Sequence, residues 1–184
     1  TIDPIDGTFN FASGSPLFGV QCALIDEGEI VVALIVLPLL GETYYAVKGS
    51  GTFLNDVRVH VNENYNAEAA LISVGDYQHS RPGQAKLQHT AIGHLYPEVG
   101  RIRMYGSAAI DFSYVASGKT AGTIILTRNL WDIAPGILIA KEAGATITNP
   151  DGGAYSFNDY GVFISANTEI SEKLVSAFKR ANNG

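Results

Sequence analysis

Asp3-Pro4-Ile5-Asp6-Gly7-Thr8-Phe9-Asn10-Phe11 sets two carboxylates three residues apart at the head of the chain. Pro4 fixes φ between them and removes a backbone donor. Hard divalent cations such as Mg²⁺ take oxygen ligands and usually keep water and phosphate in their shell. Asp3 and Asp6 can supply the charge, and the Ile5 carbonyl between them is a third candidate oxygen. The backbone N–H groups of Gly7 and Thr8 follow at once, and successive amides in a turn can hold a phosphate. An isolated Asp-Pro or Asp-Gly reads as an ordinary turn. The nine residues together are far more specific than either pair.

The chain has 184 residues, 46% of them hydrophobic, which suffices for a globular core. We expect a single domain over 1–184, with an antiparallel sheet region in 1–66 and a second α/β lobe in 67–184. The net charge of −6 argues against a nucleic-acid backbone or an anionic membrane as partner. It permits a phosphorylated substrate, because bound metal ions invert the local sign. Cys22 is the only cysteine, which fits a reducing cytoplasm. Thr1-Ile2-Asp3-Pro4 lacks the basic start of a signal peptide. The apolar run from Ile30 to Leu40 is about half the ~20 residues of a transmembrane helix and reads as a buried strand.

Antiparallel strands are expected at Leu17–Ile25, Ile30–Leu37, Thr43–Val47 and Arg58–Val61, joined by turns at Asp26-Glu27-Gly28-Glu29 and Lys48-Gly49-Ser50-Gly51. The latter lacks the spacing of a phosphate loop. Tyr65 to Ala70 is the expected boundary between two sheets. Beyond it, Leu71–Val74, Arg101–Tyr105, Ala121–Leu126, Ala145–Thr148 and Gly161–Ala166 read as strands. Helices are expected at Gln84–Leu95, from Ser107 to about Ser117, after Asp132, and from Asn167 to about Ala181. His60, His79, His89 and His94 read as surface histidines; His89 and His94 are five apart and share no helix face. Ser107 can cap its helix, and Asp111 would complement that helix's dipole.

Trp131-Asp132-Ile133-Ala134-Pro135-Gly136, followed by Glu142-Ala143-Gly144-Ala145, is a second distinctive stretch. The helix after Asp132 is apolar nearly all round and should lie between layers. Pro135 suits a first helical turn, and Trp131 should pack as a wall. Asp132 is either an N-cap or a third carboxylate brought to the first two.

These two stretches together resemble the signatures of the inositol monophosphatase family, the Mg²⁺-dependent, lithium-sensitive phosphatases. That resemblance implies an α/β fold, an α+β layering of alternating helices and sheets like the sugar phosphatases. The family's N-terminal helices and a glutamate pair precede this point and are absent here. The chain would thus open at the end of a central strand, as a fragment or a truncated member. By resemblance, Asp3 bridges two or three Mg²⁺ ions, Ile5 ligates through its carbonyl, and Asp6 and Asp132 complete the second site. Thr8 orients the attacking water, and the Gly7 and Thr8 amides hold phosphate. Gly106, Ser107 and Ala108 place a helix N-terminus beside the substrate hydroxyls. Li⁺ would inhibit, and a homodimer is expected.

The resemblance implies hydrolysis of a small phosphorylated substrate such as inositol-1-phosphate. It has one departure in the substrate region. A family glutamate seven residues before the Trp-Asp aspartate binds sugar hydroxyls, and Ile125 stands at that position. Arg128 is a candidate for a second anionic group on the substrate, or a surface arginine. Histidinol phosphate, fructose-1,6-bisphosphate and nucleotide 3′-phosphates therefore remain alternatives. So does a truncated, non-catalytic relative that binds a phosphorylated ligand. Without the upstream glutamates, these residues alone should bind metal weakly and turn over little.

Overall fold

The computed structural model describes residues 1–77 and 81–183; His79 lies outside them. The first 59 residues form a six-stranded antiparallel meander. In order these are β1 (Ile2–Asp6), β2 (Gly19–Asp26), β3 (Glu29–Leu37), β4 (Glu42–Val47), β5 (Gly51–Leu54) and β6 (Val57–Val59). A short helix, α1 (Thr8–Ser13), links β1 to β2. Rather than lying centrally, β1 pairs only with β2, its register shifting between Asp3 and Asp6. Pro4 has no donor for a second neighbour, so an irregular edge strand suits it.

Strands β7 (Leu71–Val74), β8 (Arg101–Arg103), β9 (Gly122–Ile125), β10 (Thr146–Thr148) and β11 (Val162–Ser165) form a second sheet in the order β10-β11-β9-β7-β8. It is mixed: β7 runs parallel to β8 and β9, while β11 is antiparallel to β9 and β10. Its inner strands β9 and β11 are buried on both faces, so side chains of period two serve two cores. Val162 and Ile164 enter the core shared with the first sheet, and Phe163 enters the other.

Helices α3 (Ala108–Ala116) and α4 (Leu130–Glu142) fill the space between the sheets. Ile35 and Tyr44 of the first sheet meet Ile110, Phe112, Ile133 and Ile137 there. Helices α2 (Pro82–Leu95) and α5 (Thr168–Asn182) cover the outer face of the second sheet, through Ala91 and Leu95 on one and Ile170, Leu174 and Phe178 on the other. The result is the expected succession of sheet and helix layers. The far face of the first sheet leaves Ile2, Val20, Leu24, Val32 and Val47 exposed.

Two features of the second distinctive stretch are structural. The Glu142 carboxylate accepts the backbone N–H groups of Gly49 at 2.8 Å and Gly51 at 2.9 Å, tying α4 to the β4–β5 turn. Gly136 lies beneath the Phe112 ring; a Cβ there would stand 2.0 Å from Phe112 Cδ2. That close approach sets the distance between α3 and α4.

Pro135 departs from expectation. It is inside α4, whose N-cap is Asn129, and not in the first turn. Proline there cannot donate to the carbonyl one turn back. The helix begins earlier than the apolar pattern suggested, which places Asp132 in its first turn and not at the cap.

Candidate metal centre

Three chain segments meet at one end of the layers: the β1–α1 junction, the start of α3 and the start of α4. Oxygen atoms of Asp3, Asp6 and Asp132 all lie within 4.8 Å of one another. Each carboxylate is held by a hydrogen bond. Asp3 accepts the Ile5 N–H at 3.0 Å, which aims its side chain along the irregular end of β1. The Ile5 carbonyl accepts the Thr8 hydroxyl at 3.1 Å, so both of those candidate groups face one place.

Asp6 is buried and accepts the Ala109 N–H at 2.8 Å and the Ser107 hydroxyl. The same hydroxyl accepts from Ile110 N–H, capping α3. Burial pushes the Asp6 pKa up to about 6, although the bonds from Ser107 and Ala109 pull it down; the charges of Asp3 and Asp132 add to the rise. Asp132 accepts Asn129 Nδ2 at 3.0 Å and sits 3.5 Å from the Thr127 hydroxyl. Its pKa is also raised to about 6, first by burial and then by Asp3 beside it, against the lowering effect of Asn129. Carboxyls raised together in this way want a cation. An all-oxygen set of three carboxylates fits a hard divalent ion.

Gly7 leaves β1 at φ +83°, and a Cβ there would press Ser107 Cβ at 3.0 Å and the Leu17 carbonyl at 3.1 Å. Gly106, at φ +75°, turns the chain into α3. Gly106, Ser107 and Ala108 line a cavity of about 180 Å³ together with Asp6, Asp76, Asp111, Thr127 and Asp132. Arg128 is not among its lining residues. Its guanidinium lies 5.5 Å from the centre of the Tyr160 ring. Trp131 is 48% exposed and not packed as a wall.

Several residues escaped the sequence reading. Asn10 donates from Nδ2 to the Leu17 and Tyr105 carbonyls, both at 2.7 Å, and so joins α1 to the loop before α3. Gln21 reaches from β2 to the Asp132 carbonyl at 3.1 Å. Neither carries a local signal, since both act across long sequence separations. Asp111, expected to complement the dipole of α3, lies in its first turn with its side chain fully buried and lining the cavity, where burial disfavours the charged form. No helix among the described residues is long and apolar enough to cross a membrane.

The sequence profile of the inositol monophosphatase family matches residues 1–183. A fructose-1,6-bisphosphatase/inositol-1-monophosphatase of Thermotoga maritima is 37% identical over 95% of this chain and 65% of its own length. An inositol-1-monophosphatase of Mesorhizobium japonicum is 36% identical over 97% of this chain and 66% of its own. The crystal structure of the extragenic suppressor protein suhB from Bartonella henselae superposes with a TM-score of 0.90 at 36% identity, covering 97% of this chain and 69% of that one. The chain thus spans just under two thirds of the length of the two curated relatives.

Proposed function

From its membership in the inositol monophosphatase family, to which the chain belongs, we propose that the protein hydrolyses a phosphate monoester of a small alcohol, such as inositol-1-phosphate, with Mg²⁺ as cofactor. The observation that carries this reading is the convergence of Asp3, Asp6 and Asp132 within 4.8 Å. Burial and mutual repulsion oppose such a cluster, and a bound cation removes both costs.

In this reading Asp3, the Ile5 carbonyl, Asp6 and Asp132 hold two or three Mg²⁺ ions. Bound there, the ions supply an activated water and offset charge on the phosphoryl and leaving oxygens. Thr8 orients the attacking water through its hydroxyl. The backbone N–H groups of Gly7 and Thr8 hold the phosphate. Gly106, Ser107 and Ala108 face the alcohol part of the substrate, near the positive end of α3. Arg128, beside Tyr160 and outside the cavity lining, would serve a second anionic group on the substrate.

The dual name of the Thermotoga relative supports keeping fructose-1,6-bisphosphate as an alternative substrate. Histidinol phosphate and nucleotide 3′-phosphates stay open as well. We place the protein in the cytoplasm as a homodimer. The rival reading is a relative that binds a phosphorylated ligand without turnover. It is favoured by the make-up of the acidic cluster, which among the described residues has three aspartates and no glutamate.

Phosphate release from inositol-1-phosphate, measured with and without Mg²⁺, tests the reading. Asp132→Asn should lower the metal-dependent rate by more than about 100-fold, beyond the loss usual for groups that only support a ligand. Activity that survives this substitution would show the metal assignment to be wrong.

A further inference from the structure

The cavity is lined by two kinds of carboxylate. Asp6 and Asp132 belong to the metal cluster. Asp76 and Asp111 do not: the acidic groups that converge closely enough to share an ion are Asp3, Asp6 and Asp132 alone among the described residues. Asp76 stands exposed at the rim beside Gly106, where its Oδ2 would lie 3.3 Å from a Cβ on that glycine. Asp111 lies at the floor, fully buried, and neither of its carboxylate oxygens finds a hydrogen-bond partner. The Ser73 hydroxyl is close enough to lower its pKa but outside hydrogen-bonding geometry.

A buried carboxyl without partners is costly and rare. The cavity's lining contains no lysine or arginine among the described residues. We propose that Asp76 and Asp111 recognise the alcohol part of the substrate, and that the cavity takes a phosphate monoester whose alcohol carries a protonated amine. The inference rests on the phosphoester reading above and deepens it by naming the leaving group.

Charge and donor supply favour an amine at these two carboxyls. Divalent ions offset the metal-binding aspartates, which leaves the Asp76 and Asp111 carboxyls of the lining without a counter-charge. A hydroxyl brings one donor and no charge. An ammonium group brings three donors and a full charge. Asp76 can meet it directly, while Asp111 acts from the floor through the weakly screened interior. Burial holds Asp111 well above the ordinary carboxylate range, with the charges of Asp6 and Asp76 adding to the rise. A cation in the cavity opposes each of these effects.

The test compares O-phosphoethanolamine with ethyl phosphate by titration calorimetry, on the whole protein with Mg²⁺ present. The two esters are similar in size and differ in the amine. We expect O-phosphoethanolamine to bind about tenfold more tightly, the scale of one charge-assisted hydrogen bond. The ratio of the two affinities should fall towards one in Asp111→Asn and drop by about half or more in Asp76→Asn. Asp76 is at the surface, so that variant reads the proposal even if the buried one folds poorly. Equal affinities in the unsubstituted protein would overturn the proposal. So would a preference that survives both substitutions, since the protein's net negative charge would then explain it. In either case Mg²⁺-dependent binding of ethyl phosphate would leave the phosphoester reading standing. Failure of both esters and of inorganic phosphate to bind with Mg²⁺ would overturn that reading and the proposal with it.

Discussion

The Asp6 carboxylate accepts the Ala109 backbone N–H at 2.8 Å, across 103 residues of sequence. This one bond joins the first sheet to the helix layer and puts a candidate metal ligand on the positive end of α3. The Ser107 hydroxyl bonds the same carboxylate oxygen, so a helix cap and a ligand support are one group.

Ser107→Ala therefore removes two functions at once. Loss of the cap should cost about 1 kcal/mol of stability. Loss of the donor to Asp6 should weaken Mg²⁺ binding by about tenfold or more. Urea unfolding and a metal titration read the two effects separately. A purely capping serine would move the first and not the second.

Acid should stabilise the metal-free protein. Asp6 and Asp132 have pKa values raised to about 6, against about 4 for an unfolded aspartate. The folded state thus binds more protons than the unfolded state between those values. The stabilising contribution is complete below about pH 4 and is lost as pH rises through about 6. Melting temperatures in chelator should accordingly be higher near about pH 5 than near about pH 7.5, once other groups are controlled for with Asp132→Asn. Added Mg²⁺ should reverse the order, because it binds the ionised carboxyls.

Gly136→Ala tests the close approach of α3 and α4. Its Cβ would stand 2.0 Å from Phe112 Cδ2. The helices or the ring must shift, at a cost of about 1–3 kcal/mol. Phe112→Leu alone leaves space and also destabilises. Combined with Gly136→Ala, the loss should be smaller than the sum of the two, as expected of residues in contact. Additive losses in denaturant unfolding would show that the ring does not set the helix spacing.

Asn10→Ala should act at a distance. The side chain donates to the Leu17 and Tyr105 carbonyls at 2.7 Å each. Leaving these acceptors without a partner should cost about 1–3 kcal/mol. The loop at Gly106 would loosen, and substrate affinity should fall while Mg²⁺ affinity changes less. A titration of phosphate ester against one of metal distinguishes the two.

The exposed row Val20, Leu24, Val32 and Val47 on the first sheet should bind a hydrophobic dye. Leu24→Lys or Val32→Lys should lower the fluorescence by about half or more without reducing stability, since both side chains face water.

The residue pattern by itself determined a good deal. Apolar runs with turn residues between them marked the strands and helices, because local periodicity and breakers are local physics. Asp3, Asp6 and Asp132 were legible as candidates because two of them share one short stretch and the third heads a helix. The places where elements end were less legible. By propensity alone Pro135 marks a first helical turn, but contacts of α4 between two sheets outweigh the propensity against an interior proline. What only the tertiary structure decided is which side chains converge. Nothing near Asp111 announces that it lines a cavity with Asp76, or that Arg128 lies against Tyr160 instead. Asn10 and Gln21 likewise look like ordinary polar residues until their partners, 95 and 111 residues away, are brought beside them. Such meetings follow from how layers pack, and packing depends on the whole chain at once.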